Sequence, residues 1–259
     1  MLKKLLKHDF ISVWRLAFPI FAIATGIVLF AYIMCAIEFE NPVLQLFATF
    51  LFPTGFIVLI VACVLIFCLP VVHFYRNLMT GEGYLSFTLP VTSYQLVLSK
   101  LIVGSVTTLC NLVFTIGGFL LLFSTEEDLS AFSLKGLHMP DGASPVPVAI
   151  FVVATIVIAT ICQQIYFYLS ISLGQVLSKN KIIGSVLGYV IIYAVNQIIN
   201  LVLILVLLLC IGFDNLEAFM SSTKALLVFL GVLIGEYIIL GSASFILSGR
   251  ILKNRLNLT

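Results

Sequence analysis

The chain has 259 residues, of which 62% are hydrophobic and only 9% charged, with a formal net charge of +2. A soluble domain carries about 25% charged residues, so a water-facing surface for this chain cannot be assembled and a soluble globular fold is excluded. No stretch is polar enough to form a separate soluble domain, and residues 1–259 are read as a single membrane domain.

In chain order, the first segment is 1–15. It places Leu2, Leu5, Leu6, Phe10, Val13 and Trp14 on one helical stripe, with Lys3, Lys4, Lys7 and His8 opposite. That pattern predicts an amphipathic helix lying on the inner leaflet. Six apolar runs follow: Leu16 to Ile37, Val43 to Tyr75, Leu101 to Thr125, Gly142 to Ser178, Ile182 to Phe213, and Ala225 to Gly249. A bilayer core about 30 Å thick needs roughly 20 apolar residues in a helix, and each run is long enough. Backbone groups in hydrocarbon must satisfy one another, so the runs are predicted as helices. The short alternating segments of a barrel are absent. Pro53 and Gly55 predict a kink or an interfacial turn in the second run. Pro145 and Pro147 place the start of the fourth helix. The first run is too long for the apolar region of a signal peptide.

Loop charges set the expected orientation. With the N-terminus inside, the cytoplasmic side holds Lys3, Lys4, Lys7, Arg15, Arg76, Lys100, Lys179, Lys181, Arg250, Lys253 and Arg255, leaving Lys135 and Lys224 outside. Of the acids, only Asp9 and Glu82 fall inside, while Glu38, Glu40, Glu126, Glu127, Asp128, Asp141, Asp214 and Glu217 fall outside. Six spans with both ends cytoplasmic keep this asymmetry, and an odd number breaks it. The main outer loop is 126–141, and the longest inner connection is 76–100.

Polar residues inside the runs are the candidate functional positions. Glu236 lies near the middle of the sixth, where a carboxylate must face the bundle, carry a proton or find a partner. It is read either as a gate or substrate contact or, the reading favoured on sequence because the spans hold no Lys or Arg to pair with it, as a structural hydrogen bond to a neighbouring span. The fifth run carries Ser185, Tyr189, Tyr193, Asn196 and Asn200 on one face. That face either lines a pathway or serves as hydrogen-bonding glue between helices. Gly104, Thr108, Asn111, Thr115 and Gly118 form a face of the third run that is read as packing. Gln164, Tyr168, Ser172 and Gln175 share a face of the fourth, with either role open.

The six cysteines all fall in apolar runs without a CxxC, which argues for packing and against a disulfide framework or a zinc site. Three scattered histidines give no metal site. No GxxxxGK[ST] or HExxH occurs, and no nucleophile–base pair falls at helical spacing. The chain is therefore expected to have no catalytic residues and no cofactor of its own. Topology accounts for the positive charge, so no nucleic-acid partner is expected.

The inner connection reads RNLMTGEGYLSFTLPVTSYQLVLSK. Gly81 and Gly83 permit tight non-helical backbone, Pro90 stops a helix, and Thr92 and Ser93 can cap the next one near Tyr94. Tyr84, Leu85, Phe87 and Leu89 are apolar residues on a watery side, which points to burial against a partner or against the leaflet. The run GEGYLSFTLPVT at 81–92, the short helix after it ending in Ser99 and Lys100, the opening LLKHDF and the ending ILKNRLNLT resemble the permease subunits of ABC transporters. The likeness is to the type 2 (exporter) class in its Gram-positive, clostridia-like branch.

The resemblance implies two permeases, either two copies or a sister pair, each docked on a separate subunit that binds ATP and Mg. It implies a cytoplasmic coupling helix between helices two and three, centred on Gly81, Glu82, Gly83, Tyr84, Leu85, Thr88, Leu89 and Pro90. It further implies that the amphipathic N-terminus is a connecting helix, that the fifth helix lies by the subunit interface, and that the protein sits in a bacterial plasma membrane. Cargo of this family is often an antimicrobial peptide, a drug or a lipid-like molecule. The other reading is an ATP-independent membrane protein, a secondary transporter or a scaffold or sensor subunit, with Glu236 as its proton-coupled group. The absence of visible inverted repeats weighs against it.

Overall fold

The computed structural model describes residues 2–37, 40–79, 92–124, 144–177, 180–211 and 222–254. They form six helices: α1 (Leu2–Ala36), α2 (Pro42–Met79), α3 (Ser93–Phe123), α4 (Val146–Leu177), α5 (Lys181–Ile211) and α6 (Thr223–Asn254). Each is long and apolar enough to cross a bilayer, and no strand occurs among the described residues. The fold is all-α, that of a multi-pass membrane protein. The 31 residues of α5 extend about 47 Å at 1.5 Å per residue. All six helices therefore outrun a hydrocarbon core of about 30 Å, and they tilt or project beyond it.

The helices begin where side chains satisfy the first free N–H groups. Asn41 Oδ1 accepts from the Val43 N–H at 3.0 Å. Thr92 and Gln95 form a reciprocal capping box: the Gln95 N–H donates to Thr92 Oγ1 at 3.4 Å, and the Thr92 N–H donates to Gln95 Oε1 at 3.2 Å. Ser144 and Ser222 cap α4 and α6 through the Val146 and Ala225 N–H groups.

Two boundaries differ from the sequence reading. Residues 1–15 are not a helix set apart from the first span; α1 runs unbroken from Leu2 to Ala36 and contains Pro19. No Gly or Pro interrupts the chain before Pro19, and Asp9 is drawn into the protein, 3% exposed, beside His73 of α2. The lysines at 3, 4 and 7 stay exposed. The inner connection is also shorter than 76–100. Arg76 to Met79 complete α2, and Ser93 to Lys100 are the first turns of α3 rather than a separate short helix. Burial explains the second difference: Leu96, Val97, Ser99 and Lys100 all lie inside the protein. The residues expected to form the coupling contact, Gly81 to Pro90, lie outside the described residues, as does the outer loop 126–141.

The chain divides into two compact units, Met1–Phe74 with Ile102–Ser133, and Tyr75–Leu101 with Leu134–Thr259. In the first, Val28 and Ala31 of α1, Leu59 of α2 and Leu122 of α3 form a buried cluster flanked by Phe52, Phe56 and Phe114. Gly118 lets α3 approach α2, since a Cβ there would sit 2.6 Å from Leu59 Cδ2. Gly55, read as part of a kink, lies inside α2 against Leu122 and Ala31. Asn111 donates from Nδ2 to the Cys63 carbonyl at 2.9 Å, and Thr108 and Thr115 bond their own helix. That face of α3 is packing, as its small residues imply.

Asp9 Oδ1 and His73 Nε2 are 3.3 Å apart, with both side chains largely buried. Removing one member of a buried pair leaves the other uncompensated, at about 3–5 kcal/mol when both are charged and less when His73 is neutral. Asp9→Ala is expected to lower the thermal midpoint by several degrees. It should also shift the emission of Trp14, the only tryptophan, toward the red as the N-terminal turns loosen. Unchanged emission would show that the pair does not hold this end of α1.

In the second unit α4 is central and packs on both α5 and α6. The α4–α5 crossing is made by small residues. A Cβ on Gly174 would strike the Ser185 backbone, and one on Gly188 would lie 3.1 Å from the Ser170 carbonyl oxygen. Against α6, Gly241 faces Cys162 Sγ, and the Cys162 thiol donates to the Tyr237 carbonyl at 3.2 Å. Tyr168 donates to the Lys100 carbonyl at 3.1 Å, which ties the start of α3 to α4. Helix α5 exposes Ile182 and Leu209, 67% and 71% accessible, as a lipid-facing helix does.

Candidate functional site among the membrane helices

The site is assembled on α4 of the second unit, because α4 carries polar groups on the faces it turns to both neighbours. Gln163 faces α5, where its Nε2 donates to the Tyr189 hydroxyl at 2.7 Å. The Tyr189 ring stacks on Phe167 one turn further along α4, with centroids 4.6 Å apart and planes 3° from parallel. Cys162 faces α6. Tyr166, one turn from Cys162, lies within electrostatic reach of Glu236 and Tyr237 of α6 and near the Asn196 amide of α5.

Glu236 is 7% exposed and Tyr166 is 4% exposed. Among the described residues, neither Glu236 Oε2 nor the Tyr166 hydroxyl has a hydrogen-bond partner. A buried polar atom left unpaired costs about 1–3 kcal/mol. Tyr166 of α4 and Glu236 of α6 each leave one such atom in this unit, and Gln164 and Gln175 of α4 leave others. Chemically the junction offers a carboxylate acceptor, a phenol that both donates and accepts, and a carboxamide. Such a set can receive a hydrogen-bonding or cationic group, or hold a proton. No group of three His, Cys, Asp or Glu side chains is placed to hold a metal among the described residues.

The structure brings together three of the five sequence-chosen positions, Tyr189, Asn196 and Glu236, around Gln163 and Tyr166. The other two lie apart. Tyr193 is 55% exposed and reaches the group only through its ring, 6.5 Å from that of Tyr189. Asn200 donates to the Asn196 carbonyl of its own helix at 3.0 Å. Sequence reasoning missed Gln163 and Tyr166. They are three residues apart, about 60° round the helix, on a face beside the one that Gln164, Tyr168, Ser172 and Gln175 mark. The signal was present in a different form: Cys162, Gln163, Gln164 and Tyr166 are the densest polar cluster of α4.

The face of α4 that the sequence did single out has mixed roles. Tyr168 and Ser172 are bonded to backbone carbonyls. Gln164 is fully buried with both amide atoms unpartnered among the described residues. The expected coupling residues Gly81, Glu82, Gly83, Tyr84, Leu85, Thr88, Leu89 and Pro90 lie outside the described residues, and the described chain resumes at the Thr92–Gln95 capping box. Against protein-family models, curated proteins and solved structures, the chain has no match.

Proposed function

We propose that this chain is the permease subunit of an ATP-driven exporter in a bacterial plasma membrane, with both termini cytoplasmic and ATP hydrolysed on a separate subunit. The observation that carries the reading is the run GEGYLSFTLPVT at 81–92, whose sequence resembles the coupling segment of type 2 ABC permeases. It joins α2 and α3, the helices whose residues contribute to both compact units. A push on that segment travels along two rigid helices into both units, which is the mechanical requirement of a coupling element. The capping box at Thr92 fixes where α3 begins.

In this mechanism ATP closes the partner ATPase and displaces the segment around Glu82 and Tyr84. The membrane helices then re-pack, and cargo leaves outward or into the outer leaflet. The junction of Glu236, Tyr166 and Asn196 supplies polar contacts on the cargo's path. A second permease, identical or a sister chain, completes the assembly. The family's range, antimicrobial peptides, drugs and lipid-like molecules, bounds the cargo.

Two experiments test this. Mild-detergent purification from the native membrane is expected to bring down a stoichiometric subunit bearing a P-loop. The double substitution Glu82→Ala and Tyr84→Ala is expected to leave the permease folded while lowering ATP-dependent transport at least tenfold. Reproducible absence of an ATPase partner, or intact coupling in the double variant, would overturn the proposal. The buried carboxylate of Glu236, whose Oε2 has no hydrogen-bond partner among the described residues, favours a second reading, a proton-coupled secondary transporter. Collapsing the proton gradient with ATP maintained stops such a transporter and leaves the exporter running.

A further inference from the structure

In the first unit, α1 and α3 enclose a groove of about 330 Å³. Val103 of α3, 2% exposed, lies at its base, and Phe10, Ile11, Ile102 and Val106 form walls that are partly open. At the N-terminal end of α1, Lys7 is the one charged residue among the described residues that line it. Lys3 lies one turn before Lys7 on the same helix face, with Lys4 beside it, and all three lysines are exposed. Among the described residues, no acidic side chain lines the groove. Asp9, the nearest acid in sequence, is turned into the protein beside His73.

We propose that this groove binds one anionic phospholipid from the leaflet that the N-terminus faces. Its phosphate would sit at Lys7 and Lys3, with an acyl chain lying between α1 and α3. Apolarity alone does not select an occupant, because lipid tails are as apolar as the side chains that line the groove. Selection must come from charge, and among the described lining residues the charge is positive and lies at one end of an apolar trough. A phospholipid has the matching layout, an anion joined to a hydrocarbon chain. Basic pockets between membrane helices take anionic headgroups in this way. The groove differs from a diffuse basic collar in that headgroup and chain are held by different, separately mutable residues.

Trp14 makes the test direct. It is the only tryptophan, and its ring stacks on Phe10 of the groove wall, with centroids 5.2 Å apart. The purified full chain is placed in phosphatidylcholine bilayers that contain either acyl-brominated phosphatidylglycerol or acyl-brominated phosphatidylcholine at equal mole fraction, and quenching of Trp14 is read. Phosphatidylglycerol is expected to quench with an apparent affinity about fivefold or more above phosphatidylcholine, the scale of one lysine near the membrane surface. Lys7→Gln should bring the ratio close to one. Val106→Phe, which narrows the groove at a partly exposed position and leaves the lysines untouched, should lower phosphatidylglycerol quenching to a similar degree. Equal quenching by the two lipids in the unaltered chain would overturn the proposal. So would a preference that survives Val106→Phe with circular dichroism unchanged, since that result places the lipid on a diffuse basic surface.

Discussion

Replacement of Gly174 by leucine is expected to separate α4 from α5 and to lower the thermal midpoint by about 5–10 °C, the scale of a few kcal/mol in a chain of this size. The argument is steric. A Cβ at Gly174 would strike the Ser185 backbone, which is helix backbone and cannot swing aside as a side chain can. Two consequences follow from the separation: Tyr189 leaves Gln163 and slides off Phe167, whose ring it now overlaps at 4.6 Å. Little else holds this pair, since in lipid no hydrophobic drive brings helices together and close packing of small residues does it instead. The ranking is as informative as the size. Gly188→Ala should cost less, because its Cβ would lie 3.1 Å from the Ser170 carbonyl oxygen. Gly26→Ala, with nothing within 4 Å of the added carbon, should be neutral or slightly stabilising. Thermal unfolding in one detergent, followed by Trp14 emission, ranks all three. A Gly26 variant as damaged as the Gly174 variant would refute the crossing argument.

The six spans were legible in the sequence because hydrocarbon imposes a length and a charge rule that few residues can break. The start of α4 was legible as well, since Pro145 and Pro147 are punctuation with a physical meaning. What hydropathy could not show is where a helix continues beyond its apolar run. Ser93 to Lys100 contains polar and charged residues, yet it forms the opening turns of α3 because Leu96, Val97, Ser99 and Lys100 are buried by packing that only the tertiary structure supplies. The same holds for the Asp9–His73 pair, whose members lie 64 residues apart. At the candidate site, Glu236 and the polar face of α5 were legible by burial cost and by period. Tyr166 and Gln163 were not, because α4 serves two neighbours and spreads its polar groups over two faces.

Glu236 is where chemistry and packing make opposite demands, and the two can be separated. If the carboxylate were held only as structural glue, Glu236→Gln would lose stability, because an optimised hydrogen bond would be disturbed. The structure gives Oε2 no partner among the described residues, and a charged carboxylate at the centre of a membrane helix costs about 2.5–3.5 kcal/mol. Glu236→Gln is therefore expected to leave the thermal midpoint unchanged or to raise it by a few degrees. A group retained against stability should instead be tied to the working cycle. In a chain whose six native cysteines are replaced by alanine, Glu236→Cys is expected, under the proposed function, to react with a small hydrophilic maleimide at rates differing about tenfold or more between nucleotide-free membranes and membranes in which the proposed partner ATPase is trapped closed. A cysteine at Ile239, 68% exposed on the lipid side of the same helix, should show no such change. A Glu236→Gln variant that melts well below the parent, together with a Glu236→Cys variant whose labelling ignores nucleotide, would assign the carboxylate to the fold and remove it from the pathway.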